Sequence, residues 1–231
     1  MPIQYFSAGG RKCAALIPKN TENSEPSLLC LMGGSDTDEL FSSLEKRLLP
    51  HIKKGFSAPV IVSALDVDWN LDYSPWEAEL FGGRHFGGQA DHFLDFLEKS
   101  LIPEAEANFG LYDQERYIMG YSLGGLAALY FFLKSDLFTG CGALSASLWY
   151  PEFMEYMKKS EKNSGRLYLS LGKGELKTRN ALMKQCGALY EETQKFFDGK
   201  LEESFFEWNN GGHGFEVPER HLRAILHLLQ K

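Results

Sequence analysis

Short apolar runs typical of β-strands alternate with longer segments of helical spacing along almost the whole chain. This alternation is the pattern of strand–helix–strand crossover units, which build a mostly parallel sheet. The first two runs are joined around Gly9 and Gly10 and predict an opening antiparallel pair. Eight strands are predicted in all, in the segments IQYFSAG, KCAALIP, SLLCLMG, APVIVSALD, ERYIMGYS, GCGALSAS, RLYLSLG and SFFEWNNG.

Six segments between these runs have apolar residues at the helical period and are predicted to be helices. They are residues 38–52, 89–108, 123–134, 152–159, 179–197 and 218–229. A chain of 231 residues without internal repeats suits one α/β domain over 1–231. Residues 20–26, NTENSEP, are predicted to form a polar loop.

The segment 66–88, DVDWNLDYSPWEAELFGGRHFGG, fits neither the strand period nor the helix period. We expect a long irregular loop here, and such loops in compact domains are more often functional than accidental. Because the segment follows a predicted strand, it should overhang the carboxyl edge of the sheet, where open α/β folds bind ligands.

Composition and charge exclude several classes of protein. The net charge of −7 and the pI near 5.4 argue against binding to nucleic acid or to anionic membranes. The apolar runs are shorter than the roughly 20 residues that cross a bilayer, and the first residues do not resemble a signal peptide. We therefore expect a cytoplasmic protein without cofactor or metal that acts on a small molecule, and a homodimer is left open. The four cysteines lack CxxC spacing, which argues against zinc and disulfides, although their even number leaves a bridge open.

Ser122 lies between Gly120 and Gly124 in the segment GYSLGG, where a predicted strand passes into a predicted helix. A G-x-S-x-G spacing alone is weak, since it occurs by chance in about one chain of this size in ten. At a sharp strand-to-helix turn, however, small residues two before and two after a nucleophile let the strand and helix approach each other. The turn also aims the N–H of Leu123 at incoming negative charge. Ser122 is therefore a candidate nucleophile, and the alternative is an unreactive serine in a tight turn.

A serine hydroxyl needs a base to take its proton and an acid to orient that base. In this kind of site the chain order is serine, acid, histidine, so only His213, His221 and His227 qualify as the base. His221 and His227 belong to the last predicted helix. His213 lies in NNGGHGF, on a glycine-flanked loop after the last predicted strand, and is the favoured base.

Glu175 is the favoured acid because it follows the segment RLYLSLGKG at the end of a predicted strand. The alternative role of Glu175 is to cap a helix that begins near Thr178. A second oxyanion donor is expected after the third strand, in LMGGSDTDE, from the N–H of Gly34 or Ser35. The alternative there is a glycine turn before a helix capped by Ser35 or Asp36.

Together these residues resemble the esterase branch of the α/β-hydrolases that contains siderophore esterases, feruloyl esterases and S-formylglutathione hydrolase. The likeness extends over most of the chain, through LMGG, DWNLDYSPW, GYSLGG, SASLWYP, LGKGELKTRN and GGHGF, and is greatest to small bacterial hydrolases of this branch. It implies a mostly parallel eight-stranded sheet with helices on both faces and a short loop insertion instead of a large lid. It also implies Ser122 as nucleophile, His213 as base and Glu175 as acid. Many relatives have a histidine where this chain has Met32, and their acid varies between Asp and Glu.

Asp68, Trp69, Trp76 and Trp149 are candidate substrate-binding residues, and Tyr73 and Tyr150 are expected to add to the same aromatic surface. The alternative is that these rings only pack the loop onto the domain; Asp72 and Arg84 either bind substrate or fasten the loop. The expected activity is hydrolysis of a carboxylic ester through an acyl-enzyme. Acyl transfer or thioester cleavage by the same residues, and a non-catalytic binding module on a hydrolase scaffold, are the alternatives.

Overall fold

A computed structural model describes residues 3–19 and 26–230. The predicted polar loop at 20–26 therefore falls, except for Pro26, outside the described residues. The chain divides into two compact units, Met1–Ile118 and Met119–Lys231. The single domain over 1–231 stays a prediction.

Four strands of the main sheet lie wholly in the first unit, in the order β1-β2-β4-β3. They are β1 (Ile3–Ala8), β2 (Arg11–Leu16), β3 (Leu28–Met32) and β4 (Val60–Ala64). β1 and β2 form the predicted antiparallel pair, in which Ile3 lies opposite Leu16. β2 pairs antiparallel with β4, whereas β3 and β4 run parallel with Leu28 opposite Val60. Helix α1 (Thr37–Ile52) makes the crossover from β3 to β4, as its helical period predicts.

The segment 66–88 is not an irregular loop, so this prediction is wrong. It folds into a short helix α2 (Trp69–Asp72) and a hairpin of β5 (Glu77–Leu80) and β6 (Arg84–Gly87). Each hairpin strand has only four residues, which is too short for the period of two to stand out between glycines and aromatic residues.

The predicted helix 89–108 is present but changes its winding in the middle. Helix α3 (Ala90–Phe96) passes through a π-helical turn (Leu97–Leu101) into α4 (Ile102–Phe109). Pro103, in the first turn of α4, has no N–H to donate to the carbonyl four residues earlier, and π-turns accommodate such breaks.

Strand β7 (Arg116–Tyr121) begins in the first unit and ends in the second. The second unit continues with α5 (Leu123–Lys134), β8 (Gly140–Leu144), α6 (Phe153–Lys158), β9 (Arg166–Gly172), α7 (Cys186–Phe197), β10 (Glu203–Asn209) and α8 (Val217–Leu228). β8, β9 and β10 run parallel to one another. The order of the main sheet is β1-β2-β4-β3-β7-β8-β9-β10, which confirms the eight predicted strands and the mostly parallel α/β fold.

Helix α7 begins at Cys186, seven residues later than the predicted start at residue 179. The side chain of Asn180 accepts hydrogen bonds from the N–H groups of Leu182 and Met183 at 3.0 and 3.2 Å. Such a side-chain turn competes with helical hydrogen bonding. A short 3₁₀ turn (Met183–Gln185) therefore stands where the helical pattern predicted continuous helix, and a second 3₁₀ turn (Lys173–Lys177) precedes that segment.

Helix α5 is buried along nearly its whole length, from Leu123 to Leu133. The strands β3, β4 and β8 are likewise buried throughout, as expected for parallel strands covered on both sides. Cys30 and Cys141 lie in two of these strands, and all four cysteines are free and buried. Among the described residues, no helix combines the length and apolarity needed to cross a membrane.

Candidate active site

Ser122 occupies the sharp turn between β7, which ends at Tyr121, and α5, which begins at Leu123. Its φ of 57° and ψ of −122° are strained for a residue with a side chain, and such strain concentrates at functional sites. The Ser122 N–H donates to Leu144 O at 2.9 Å, and its carbonyl accepts from Ser147 N at 3.1 Å. Hydrogen bonds therefore hold both the N–H and the carbonyl of Ser122 in place.

Gly120 is required by the close approach of strand and helix. A Cβ at this position would lie 2.2 Å from the carbonyl oxygen of Gly124, and a Cβ at Gly125 would lie 3.0 Å from Gly120 O. No side chain fits in either place without moving the backbone. Gly120, which the sequence assigned to this turn, thus has the packing role expected of it.

The structure brings together the three side chains that the sequence singled out. His213 Nε2 lies 3.1 Å from Ser122 Oγ, and His213 Nδ1 lies 2.7 Å from Glu175 Oε2. His221 is instead buried in α8 with Nδ1 bonded to Val217 O, and His227 stacks on Phe205. His213 is therefore the histidine within reach of the serine, as predicted.

Glu175 is held ionised by its hydrogen bonds although its side chain is only 8% exposed. Burial by itself raises the pKa of this carboxyl, but hydrogen bonds from His213, Ser145 and the Gly172 N–H outweigh it. The pKa of Glu175 therefore lies below its ordinary value, and the carboxylate remains negative beside the imidazole. Its contact with the Gly172 N–H, at 2.8 Å, also ties the glutamate to its own 3₁₀ turn.

The loops that hold Glu175 and His213 are joined through glycines. The N–H of Gly174 donates to Gly211 O at 2.7 Å. A Cβ at Gly172 would lie 2.8 Å from both Glu175 Oε1 and Gly211 O. The glycines of LGKGE and NNGGH thus let two loops approach closely enough for the carboxylate to reach the imidazole.

Arg220, Ser145 and Tyr121 surround this pair, and the sequence analysis missed all three. The Arg220 guanidinium is fully buried and lies 3.3 Å from Glu175 Oε1. Ser145 donates to the same oxygen at 2.7 Å, and the Tyr121 hydroxyl donates to the carbonyl of His213. The available signal was an arginine in the helix directly after the histidine loop, a place where a solvated cation is the ordinary expectation.

A cavity of about 360 Å³ opens beside Ser122 and His213, and all its lining residues belong to the second unit. Trp149, Met183 and Cys186 give it an apolar wall, and Lys177 adds one cation. Burial raises the pKa of the Cys186 thiol to about 12, so this sulfur stays protonated and apolar in character. Such a cavity accepts a compact, mainly apolar group next to the serine.

The predicted substrate residues divide between the two units. Trp149 lines the cavity beside Ser122, and its contact with substrate stays a prediction. Asp68, Trp69 and Trp76 belong to the first unit, where the Asp68 carboxylate caps α2 through the N–H groups of Asn70 and Leu71. Their contact with substrate stays a prediction.

Tyr73, Tyr150 and Asp72 contribute to the packing and hydrogen bonding of the fold. Tyr73 and Tyr150 are buried, so the prediction that they contribute exposed aromatic surface is wrong. Tyr73 donates to Gly33 O at 2.8 Å, and Asp72 forms a partly buried ion pair with Arg11 at 2.9 Å. For Asp72 the loop-fastening alternative therefore applies.

The two predicted oxyanion donors after β3 differ in their surroundings. The Gly34 N–H donates to Thr37 Oγ1 at 2.9 Å, so it already has an acceptor in this structure. Ser35 lies exposed in the turn before α1. Leu123, the other predicted donor, is the first residue of the 12-residue helix α5, where an N–H has no partner within the helix.

The mostly parallel sheet and the serine at its strand–helix turn are those of the α/β-hydrolase fold, and the family to which the chain belongs makes it a carboxylic ester hydrolase. A sequence-family comparison agrees with the fold. The chain belongs to the family described as "Putative esterase", whose model matches residues 8–217.

Individual relatives are distant but span most of the chain. The chain is 25% identical to the "Uncharacterized protein YbbA" of Bacillus subtilis over 220 residues, covering 89% of this chain and 84% of that protein. It is 30% identical to "Ferri-bacillibactin esterase BesA" of the same organism over 152 residues, covering 61% of this chain and 53% of BesA. An "IroE-like serine hydrolase" from Shewanella oneidensis matches the fold with a TM-score of 0.81 at 20% identity, over 99% of this chain and 80% of that one.

Proposed function

We propose that the protein is a serine esterase that cleaves carboxylic esters through an acyl-enzyme, with Ser122, His213 and Glu175 as its triad. The observation that supports the proposal is one unbroken hydrogen-bonded path. It runs from Ser122 Oγ over 3.1 Å to His213 Nε2, and from His213 Nδ1 over 2.7 Å to Glu175 Oε2. The path begins at the cavity, where an ester carbonyl can reach the hydroxyl.

The anionic Glu175 selects the useful tautomer of His213. A carboxylate only accepts hydrogen bonds, so the imidazole places its proton on Nδ1 and leaves Nε2 to accept. Nε2 then takes the Ser122 proton while Oγ bonds to the ester carbon and the carbonyl oxygen becomes an oxyanion. The imidazolium that forms is stabilised by the neighbouring carboxylate.

The alcohol is released when the tetrahedral intermediate collapses. Its oxygen takes the proton from His213, and the acyl group remains on Ser122. A water molecule then gives a proton to Nε2 and attacks the acyl carbon. The second tetrahedral intermediate collapses, the bond from Ser122 Oγ to the acyl carbon breaks, Oγ takes the proton back from His213, and the acid is released. The N–H of Leu123 is the oxyanion donor that we propose, and removal of one such donor typically costs about 3 kcal/mol of transition-state stabilisation. Ser35 is the second donor to test, since the Gly34 N–H is engaged by Thr37.

We propose that the acyl part of the substrate occupies the cavity against Trp149 and Met183. Siderophore esters are the first class to test because BesA is named a ferri-bacillibactin esterase. Hydroxycinnamoyl esters and acetylated sugars complete the panel, and a competing alcohol in the assay separates hydrolysis from acyl transfer.

Replacing Ser122 by alanine tests the proposal. Ser122→Ala should lower kcat for a p-nitrophenyl ester by at least about 10⁴-fold, because only binding and oxyanion donors then remain. A fluorophosphonate probe should label the wild-type protein at Ser122 and should not label the variant. Wild-type protein that is folded but takes no label would contradict the mechanism and favour a binding module.

A matched pair of histidine variants provides the control. His213→Ala should lose activity and labelling as Ser122→Ala does. His227→Ala removes a ring that packs on Tyr168 and Phe205 and should keep both. Equal activity of the two histidine variants would reject His213 as the base.

A further inference from the structure

Arg220 is a fully buried cation with five acceptors around its two terminal nitrogens. Nη1 donates to Tyr121 Oη (2.7 Å), Ser145 Oγ (2.7 Å) and Glu175 Oε1 (3.3 Å), and Nη2 donates to Gly212 O (3.1 Å) and Asn210 O (3.4 Å). A guanidinium is costly to bury unless such partners compensate for the water it loses. The set of acceptors indicates what the arginine holds in place.

The two carboxylate oxygens of Glu175 have separate partners. Oε1 faces Arg220, and Oε2 faces His213. The cation therefore occupies one oxygen and leaves the other pointing at Nδ1.

Two hydroxyl groups connect Arg220 further to Glu175 and to the backbone of His213. Ser145 accepts from Arg220 and donates to Glu175 Oε1 at 2.7 Å. Tyr121 accepts from Arg220 and donates to the carbonyl of His213. Ser145 has a φ of 42°, a strained value that the surrounding hydrogen bonds must maintain.

Nη2 fixes the backbone just before the base. Its acceptors are the carbonyls of Asn210 and Gly212, in the loop that ends in His213. The His213 side chain is 54% exposed, so its position depends more on its backbone than on packing. A lysine could not reproduce this pattern, since only a guanidinium offers a planar fork of five donors.

We infer that Arg220 is a positioning residue of the proposed esterase, which fixes Glu175 and the His213 loop relative to each other so that the imidazole stays aligned with Ser122. The inference rests on the proposed Ser122–His213–Glu175 mechanism. Arg220 does not itself reach the cavity lining. It acts on the reaction through the carboxylate and the loop.

A double-mutant cycle tests this inference. Arg220→Gln, Glu175→Gln and the double variant are assayed for kcat and KM with a p-nitrophenyl ester. We expect Arg220→Gln to lower kcat by about 10- to 100-fold, the usual effect of removing an orienting partner, and to change KM by less than about twofold. In the Glu175→Gln background the same change should lower kcat by less than about threefold, because residues that act through one group are not additive.

Arg223 provides the matched control on the same helix. Arg223 forms an ion pair with Glu207 at 3.2 Å. Arg223→Gln removes one positive charge, as Arg220→Gln does. This variant should keep kcat within about twofold of the wild type, whether Glu175 is present or not. The inference would be overturned if Arg220→Gln and Arg223→Gln had the same kcat. It would also be overturned if the fold-loss of kcat in the double variant equalled the product of the fold-losses in Arg220→Gln and Glu175→Gln.

If Arg220→Gln fails to fold, the hydroxyl groups provide the test without removing the charge. Tyr121→Phe and Ser145→Ala should each lower kcat several-fold with little change in KM, and unchanged kcat in both would overturn the inference. Failure of the proposed function is seen separately, as wild-type protein without activity or as Ser122→Ala that remains active. Overturning the role of Arg220 leaves wild-type activity and its dependence on Ser122 intact.

Discussion

The two carboxylate oxygens of Glu175 have different hydrogen-bond partners. This difference determines how the side-chain amide of a glutamine at position 175 would be oriented. Oε1 accepts from Ser145, the Gly172 N–H and Arg220, whereas Oε2 faces the His213 ring. An amide in this site would keep its oxygen at the position with three donors. Its NH₂ would then point at His213 Nδ1.

Glu175→Gln should therefore lower kcat by about 10³- to 10⁴-fold rather than slightly. The NH₂ donates to Nδ1, which forces the imidazole proton onto Nε2, and Nε2 can then no longer accept the Ser122 proton. The measurement is kcat for a p-nitrophenyl ester at neutral pH. Glu202→Gln, an exposed substitution of the same type, should keep full activity. A Glu175→Gln variant within tenfold of the wild type would mean that another acid, or none, orients the base.

At the scale of single residues, the sequence predicted the serine and the histidine because both sit on glycine-flanked turns next to strands. It could not predict Arg220, since a buried cation is recognised only when its acceptors are known. These acceptors come from β7, the β8 loop, the 3₁₀ turn after β9 and the loop after β10. The sequence of α8 alone does not predict hydrogen bonds to residues so distant from Arg220 in the chain.

At the scale of elements, the main sheet was predictable because parallel strands are buried on both faces and appear as continuous apolar runs. The errors lie where side chains or prolines modify the backbone. Asn180 replaces helical bonds by a side-chain turn before α7, and Pro103 follows the π-turn between α3 and α4. The hairpin β5–β6 was missed because each strand has only four residues.

The junction of β7 and α5 is the element-scale feature most sensitive to a single added carbon. Gly120→Ala would place a Cβ 2.2 Å from the Gly124 carbonyl oxygen, which belongs to the backbone and cannot rotate away. We expect a loss of about 1–3 kcal/mol or more in the free energy of unfolding, typical of overpacking, together with loss of fluorophosphonate labelling. Urea unfolding and labelling measure the two effects.

Gly55→Ala is the control for the glycine substitution. A Cβ at Gly55 meets open space, and only its φ of 97° makes a side chain unfavourable there. It should cost about 1 kcal/mol and leave labelling unchanged. If Gly120→Ala is as stable and as active as Gly55→Ala, the close approach of β7 and α5 is not what requires the glycine.

At the scale of the whole molecule, the ionised Glu175 links the candidate site to global stability. Its folded-state pKa lies below the ordinary value of 4.5, because hydrogen bonds to the carboxylate outweigh the effect of burial. A carboxyl with a depressed pKa stabilises the folded state fully above its unfolded pKa. That contribution is lost as the pH falls through the folded-state pKa, where the folded protein also binds the proton.

The free energy of unfolding of the wild type should therefore fall more steeply with acid than that of Glu175→Gln. The difference in the free energy of unfolding between the two proteins should be constant from pH 7 to about pH 5. Below pH 4.5 the wild type should lose stability relative to Glu175→Gln. Urea unfolding followed by circular dichroism at several pH values measures it, and the other carboxyl groups cancel because both proteins contain them. A difference that stays constant down to pH 3 would mean that Glu175 titrates alike in the folded and unfolded chains, and a difference that moves in favour of the wild type would mean that folding raises the pKa of Glu175. The hydrogen bonds at Oε1 and Oε2 would then not hold the carboxylate ionised, and the orientation proposed for His213 would lose its electrostatic basis.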